Sequence, residues 1–149
     1  MSSSVTVTQV IDADAQKIWQ AISEPGVLER AHPFVEKNPV EQWPGIGAKD
    51  TIHYFSGLTL HRDFTYWNEE QGYDLKIGQG TDRGTTVIWR IGDSGENSLS
   101  ITIQPGNDNA DVDLLKTYLE SVTRGFEYHI TTGKNIQRNQ FGALPYFSP

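Results

Sequence analysis

The strongest constraint on the fold is a long series of short, turn-separated segments between residues 35 and 104. In this region Gly, Pro, Asn and Asp recur about every eight to twelve residues, and the segments between them are rich in Thr, Ile, Val and aromatic residues. This spacing predicts an antiparallel meander of strands. We place the strands near residues 35–43, 50–56, 58–68, 72–78, 85–92 and 98–104, and the turns at residues 44–47, 56–57, 69–72, 81–84 and 93–95.

The segment before the meander predicts one strand and two short helices. Residues 5–11 alternate as a strand, and Asp12 or Asp14 can then cap a helix. A second short helix is predicted near residues 27–31. It is expected to end before Pro33, because proline biases the residue before it away from helical backbone. The apolar face of the first helix is predicted to hold Ala15, Ile18, Trp19 and Ile22.

The segment after the meander predicts one long amphipathic helix. The last strand places Leu99, Ile101 and Ile103 on one face, so that face must be covered by another element. Asp111 or Asp113 can cap the covering helix, and Gly133 can end it. Apolar and aromatic side chains recur in it at three- and four-residue spacing: Leu115, Tyr118, Leu119, Val122, Phe126, His129 and Ile130.

Composition limits the classes of protein that the chain can belong to. With 149 residues it is predicted to form a single domain, residues 1–149, with an extended C-terminal tail over residues 134–149. It has no cysteine, which excludes disulfides, thiolate metal sites and a cysteine nucleophile. No basic leader or run of 18 apolar residues is visible, so we expect a cytoplasmic protein without membrane insertion. The net charge of −7 argues against nucleic acid as a partner.

One charged residue conflicts with an otherwise simple strand pattern. In residues 57–67, GLTLHRDFTYW, the face predicted to hold Leu58, Leu60, Phe64 and Tyr66 also holds Arg62. A guanidinium is costly to bury without a partner. The apolar face therefore borders something other than a dry core, or the strand interpretation is wrong.

Three segments of the sequence resemble the START-like (SRPBCC) superfamily. Residues 6–23, with the pair Ile18-Trp19, resemble its opening strand, acidic link and first helix. Residues 44–50, PGIGAKD, resemble a Gly-rich hairpin, and residues 64–73, FTYWNEEQGY, resemble a strand-turn-strand of the polyketide cyclase/dehydrase-like branch. The resemblance spans about residues 5–133, whereas the sequence around His32 and the tail after Gly133 depart from it.

The resemblance implies an α+β helix-grip fold. Such a fold has a strongly bent antiparallel sheet of about seven strands wrapped around a long C-terminal helix, with two short helices after the first strand. In this superfamily the cavity between sheet and helix binds a hydrophobic or aromatic small molecule, and no cofactor is implied. Strand parity and the resemblance together predict eight ligand-binding residues: Tyr54, Leu60, Arg62, Phe64, Tyr73, Trp89, Tyr118 and Val122.

The candidate catalytic residues are His32, Glu36 and Arg62, and each has two interpretations. Arg62 is either a cavity anchor for a carboxylate, phenolate or enolate oxygen, or a residue at the cavity mouth whose head group reaches water. His32 and Glu36 form either an acid–base pair on an enolisable substrate or plain loop structure, and we favour the loop. No metal site is predicted, because the four histidines lack the spacing of metal ligands.

Three functions remain open at the level of sequence. The first is a cofactor-independent enzyme of the polyketide cyclase/dehydrase-like type, in which the cavity positions the substrate. The second is a binding or carrier module that holds a lipid, an aromatic molecule or a signalling ligand in the same cavity without chemistry. The third is a protein-interaction domain with no ligand. A homodimer through strand edges or the aromatic tail is compatible with each of them.

Overall fold

The structure, a computed structural model, describes residues 4–81, 84–92, 95–106 and 110–142. Parts of two predicted turns, residues 82–83 and 93–94, lie outside the described residues, as do residues 143–149 of the predicted tail. The strands are β1 (Val5–Val10), β2 (Val35–Lys37), β3 (Val40–Gln42), β4 (Lys49–Tyr54), β5 (Thr59–Asn68), β6 (Gly72–Gly78), β7 (Thr85–Gly92) and β8 (Ser98–Gln104). The helices are α1 (Ala15–Ile22), α2 (Leu28–Ala31) and α3 (Val112–Thr132).

The strands form one antiparallel sheet in the order β1-β8-β7-β6-β5-β4-β2, with β3 also paired to β4. Helix α3 packs against β1, β8 and α2. This arrangement confirms the predicted α+β helix-grip fold. Among the described residues the sheet has eight strands rather than about seven, because the predicted strand at residues 35–43 is divided at Asn38 and Pro39 into β2 and β3.

Short local signals determine where the helices begin and end. The Asp14 carboxylate accepts a hydrogen bond from the backbone N–H of Lys17 at 2.8 Å and so caps α1. Asp111 caps α3 in the same way. Gly133 ends α3 with a left-handed φ of 73°, a conformation that glycine adopts without steric cost.

A register shift in β5 corrects one prediction of strand parity. Simple alternation places Tyr66 on the same inward face as Phe64, but the pairing of β5 with β6 shifts between these two residues. Tyr66 is therefore 40 % exposed. Trp67 turns inward instead and stacks on Tyr73, with ring centroids 5.3 Å apart.

The described part of the C-terminal tail lies against α2 and α3. The backbone N–H of Ile136 donates to the Arg30 carbonyl at 2.9 Å, and that of Asn139 donates to the Pro33 carbonyl at 2.9 Å. The Ser121 hydroxyl on α3 donates to the carbonyl of Phe141. Residues 134–142 thus connect the end of α2 to α3.

Gly125 sets the distance between α3 and α2. A Cβ atom at this position would lie 2.2 Å from the Ala31 carbonyl oxygen. Helix propensity alone favours alanine over glycine by about 0.5–1 kcal/mol. We nevertheless expect Gly125→Ala to lower the free energy of unfolding by about 1–3 kcal/mol, because α2 must move away. Urea unfolding measures this change, and Lys116→Ala on the exposed side of α3 is the control, expected within about 0.5 kcal/mol of the parent. A stabilised Gly125→Ala protein would contradict this packing.

Candidate ligand-binding cavity

A cavity of about 190 Å³ lies between the sheet and α3. Its wall is formed by side chains from α2, from β4 to β8 and from α3. Aliphatic and aromatic groups dominate this wall, and the polar side chains in it are His32, Tyr54, Arg62, Thr85 and Tyr118. The cavity therefore has the mainly apolar lining with a few convergent polar groups that is typical of small-molecule sites.

The charge of Arg62 is paired with Asp50 inside the protein. Its Nε donates to Asp50 Oδ1 at 2.7 Å and its Nη2 donates to Asp50 Oδ2, so the ion pair is bidentate. Arg62 is 4 % exposed and Asp50 is 1 % exposed. The guanidinium also lies over the Phe64 ring, 4.9 Å from its centroid. Arg62 is therefore a buried, compensated cation rather than a residue at the mouth with its head group in water.

Further contacts hold this ion pair in its charged form. Asn38 Nδ2 donates to Asp50 Oδ2 at 3.1 Å and to the Thr51 carbonyl at 2.9 Å. Burial by itself would lower the pKa of Arg62, but the charge of Asp50 and its hydrogen bonds outweigh burial and raise that pKa above its usual value. The pair as a whole brings no net charge to the cavity wall.

Three polar rings form a hydrogen-bonded chain on the wall beside this pair. His32 Nε2 lies 2.8 Å from the Tyr118 hydroxyl, and the Tyr118 hydroxyl lies 2.9 Å from that of Tyr54. On its other side, His32 Nδ1 accepts the backbone N–H of Phe34 at 3.2 Å. Both ring nitrogens of His32 are thus engaged in hydrogen bonds. We call His32, Tyr118 and Tyr54 the polar triad.

Burial keeps His32 and Tyr54 of the triad neutral. The pKa of His32 is lowered to about 3, first by burial and then by the charge of Arg62. The pKa of Tyr54 is raised to about 12, mainly by burial, although its hydrogen bond with Tyr118 and the charge of Arg62 oppose the increase. Between about pH 4 and pH 10 these groups carry no charge in the folded protein.

Six of the eight predicted ligand-binding residues line the cavity: Tyr54, Leu60, Arg62, Trp89, Tyr118 and Val122. The other two, Phe64 and Tyr73, are buried beside it in an aromatic cluster with Trp19, Trp43 and Trp67. The Tyr73 hydroxyl donates to the Ile22 carbonyl at 2.8 Å. Both rings therefore pack behind the residues that line the cavity and do not line it themselves.

The predicted catalytic candidates are not brought together as an acid–base pair. His32 lines the cavity and is 4 % exposed, whereas Glu36 on β2 is exposed to solvent. The partners of His32 are instead Tyr118 and the backbone of Phe34. Within the described ranges, no group of three or more His, Asp or Glu side chains is placed to hold a metal ion.

Asp50 is the residue at this site that the sequence analysis missed, although a signal for it exists. The turn at residues 56–57 sets the register of the β4–β5 hairpin, in which Ile52 pairs with Leu60 and Asp50 pairs with Arg62. Asp50 also shares strand parity with Ile52. Extending the predicted hairpin by two residues therefore identifies the counter-ion of Arg62.

A family model matches most of the chain. The model describes polyketide cyclase / dehydrase and lipid transport proteins, and it matches residues 2–127. The chain belongs to this family. A search of curated proteins finds no match. No helix in the described part of the chain is long and apolar enough to cross a membrane.

Solved structures with the same fold have widely different sequences. The Aha1 dimer from Colwellia psychrerythraea has a TM-score of 0.72 at 14 % identity, covering 89 % of this chain and 99 % of its own. Ginseng major latex-like protein 151 from Panax ginseng has a TM-score of 0.70 at 15 % identity, covering 86 % and 97 %. DynU16, a putative protein of the dynemicin biosynthetic locus, has a TM-score of 0.72 at 17 % identity, and the match covers 91 % of this chain but only 51 % of DynU16. At these identities the likeness shows the fold that the family shares, and no more.

Proposed function

We propose that this protein binds a small, uncharged and mainly apolar molecule in the cavity between the sheet and α3. The observation that carries the proposal is the cavity wall, which is largely apolar and whose cation, Arg62, is already neutralised by Asp50. Family membership supports the same class of ligand, because the family includes proteins of lipid transport and of polyketide chemistry. Lipids and aromatic polyketides both have large apolar surfaces.

The volume of the cavity limits the size of the ligand. An engineered apolar cavity of about 150 Å³ is large enough to bind benzene. The cavity of about 190 Å³ therefore fits one substituted ring or a small bicyclic molecule. A long acyl chain or a multi-ring polyketide requires the wall to move.

The electrostatics of the wall favour an uncharged ligand. A carboxylate entering the cavity loses its hydration, and it meets a guanidinium whose Nε and Nη2 already donate to Asp50. It would also approach the negative charge of Asp50. Recognition of an acid through Arg62 would require that ion pair to open.

The polar triad supports binding rather than acid–base catalysis. A general base works best when its pKa is close to the working pH. The pKa of His32 is lowered to about 3, and both of its nitrogens are engaged. Glu36, the carboxylate proposed as its partner, faces solvent. A cyclase or dehydrase acting through this pair is therefore the weaker candidate.

A pair of ligands of equal size tests the proposal. Acetophenone and benzoate each contain a ring and a small polar group, but only benzoate is charged at neutral pH. We expect acetophenone to bind at least about tenfold more tightly, because benzoate must be desolvated without gaining a free counter-ion. Titration followed by NMR chemical shifts measures both affinities and locates the shifts. Tighter binding of benzoate would overturn the uncharged class, and no binding of either compound would overturn the proposed function.

Two adjacent leucines on α3 provide a matched test of whether the ligand binds in this cavity. Leu115 lines the cavity, whereas Leu114 does not. We expect Leu115→Trp to fill the cavity and abolish acetophenone binding, while Leu114→Trp retains it. Far-UV circular dichroism and thermal unfolding verify that both variants fold.

A further inference from the structure

The ion pair with Asp50 uses only part of the hydrogen-bonding capacity of Arg62. A guanidinium group is planar and has five N–H bonds, one on Nε and two on each of Nη1 and Nη2. Asp50 accepts one of these bonds from Nε and one from Nη2. Both donors lie on the same edge of the guanidinium plane, so Nη1 takes no part in the ion pair. Three N–H bonds of Arg62, two of them on Nη1, are therefore left for other partners.

These three N–H bonds meet few acceptors inside the protein. The Tyr73 hydroxyl is close enough for one hydrogen bond with Arg62, and its own proton is donated to the Ile22 carbonyl. The ring of Phe64 contacts the face of the guanidinium, whereas the N–H bonds lie in its plane and stay unused by this contact. No other described residue accepts a hydrogen bond from Arg62. At least two N–H bonds of this side chain, which is 4 % exposed, thus have no partner in the described part of the chain.

The cavity is the place where these donors can find an acceptor. Arg62 is part of the cavity wall, and so are its neighbours Leu60 on β5 and Ile77, which pairs with it on β6. The side chains of both neighbours are aliphatic and accept no hydrogen bond. A buried donor that stays unpaired is costly, and more so when it belongs to a charged group. A molecule that fills this part of the cavity must therefore supply an acceptor or leave the donors of Arg62 unpaired.

The charges at the site determine which acceptor fits. Arg62 remains a cation, so its free N–H bonds are strong donors, although Asp50 cancels its net charge. A carboxylate would gain these hydrogen bonds but would be repelled by Asp50 at the same guanidinium. A carbonyl oxygen carries lone pairs without a net charge. It can therefore accept a charge-assisted hydrogen bond while the ion pair stays intact.

We propose that the Nη1 side of Arg62 is a carbonyl-binding subsite, and that the preferred ligand is an uncharged, mainly apolar molecule with a ketone, ester or amide oxygen. This inference rests on the proposed function, and it adds the polar group of the ligand and the place where that group binds. Arg62 is the binding residue of the subsite. Asp50 is a positioning residue, because it holds the opposite edge of the guanidinium in place.

Two bicyclic probes of nearly equal size separate this inference from the binding function. Indene has no polar group, whereas 1-indanone has one carbonyl oxygen. We expect 1-indanone to bind about tenfold or more tightly, as a hydrogen bond to a charged donor predicts. Equal affinities, or tighter binding of indene, would overturn the inference and leave the binding function standing. Failure of both probes to bind would overturn both.

A double variant tests whether the preference comes from Arg62, because other groups in the wall can also donate to a ketone. Asp50→Leu/Arg62→Met removes the guanidinium together with its counter-ion. We expect this variant still to bind indene, and its 1-indanone to indene affinity ratio to fall to about one. Asp74→Leu/Arg90→Met makes the same substitutions in an ion pair at the surface and should keep the ratio of the parent. An Asp50→Leu/Arg62→Met protein with the parent's ratio would overturn the inference.

NMR of the parent protein observes the proposed contact without any substitution. The bidentate ion pair restrains rotation of the guanidinium, which keeps the signals of Nη1 and Nη2 of Arg62 apart. We expect the ¹H and ¹⁵N signals of Nη1 to move when 1-indanone binds, and to move much less when indene binds. Equal shifts with the two probes would overturn the inference even if the double variant fails to fold.

Discussion

Replacing Asp50 with alanine is expected to lower the free energy of unfolding by about 3–5 kcal/mol, because it leaves a buried guanidinium without its counter-ion. Asp50 accepts two hydrogen bonds from Arg62 and one from Asn38, and it is 1 % exposed. Each of these donors loses a partner in the variant. Urea unfolding at neutral pH, followed by tryptophan fluorescence, measures the change.

Two further variants identify the unpaired charge as the cause. In the double variant Asp50→Leu/Arg62→Met no ion is buried, and we expect stability within about 1–2 kcal/mol of the parent or above it. The Arg90–Asp74 pair is a control at the surface, where the side chains are 42 % and 27 % exposed. Asp74→Ala should cost no more than about 1 kcal/mol. A double variant as unstable as Asp50→Ala would mean that lost packing, not charge, determines the effect.

Lowering the pH from 7 to 4.5 is expected to cost the folded protein about 2–3 kcal/mol through His32 alone. The pKa of this side chain is lowered from 6.5 to about 3, first by burial and then by Arg62. Below pH 6.5 the unfolded chain therefore takes up a proton that the folded protein excludes until about pH 3. Stability falls across this window as pH decreases, by about 1.4 kcal/mol for each pH unit.

Comparison with His32→Phe isolates this contribution. Carboxylates titrate in both proteins, so the difference between their unfolding free energies reports His32. The variant loses the hydrogen bond to Tyr118 at every pH, but it lacks the proton-linked loss. We therefore expect its stability deficit relative to the parent to shrink as the pH falls from 7 to 4.5. A constant deficit would mean that folded His32 titrates near 6.5.

The elements with strong local signals were predictable from the sequence. The alternation in β8 and the caps of α3 appear in the structure as predicted, because each depends on residues that are close in the chain. Most of the cavity-facing set followed from strand parity for the same reason. The division of residues 35–43 and the outward turn of Tyr66 were not predicted, since a bulge leaves no mark in an alternating pattern.

The polar triad was beyond the reach of sequence reasoning. His32 and Tyr118 are 86 residues apart, and they meet because the end of α2 packs closely on α3 at Gly125. The nearby Glu36 was the better partner by sequence distance, but β2 turns it to solvent. Sequence proximity thus suggested Glu36 as the partner of His32, whereas the structure pairs His32 with Tyr118.

The pairing of Asp50 with Arg62 also has a consequence for how the hairpin finds its alignment during folding. Sliding β4 along β5 by two residues preserves the face of every side chain, so hydrophobic alternation cannot distinguish such a misaligned hairpin from the native one. In the native register Arg62 lies directly opposite Asp50, whereas a two-residue slip in either direction would set it opposite Ala48 or Ile52. Of these alignments, only the native one pairs Arg62 with a carboxylate and so buries no uncompensated charge.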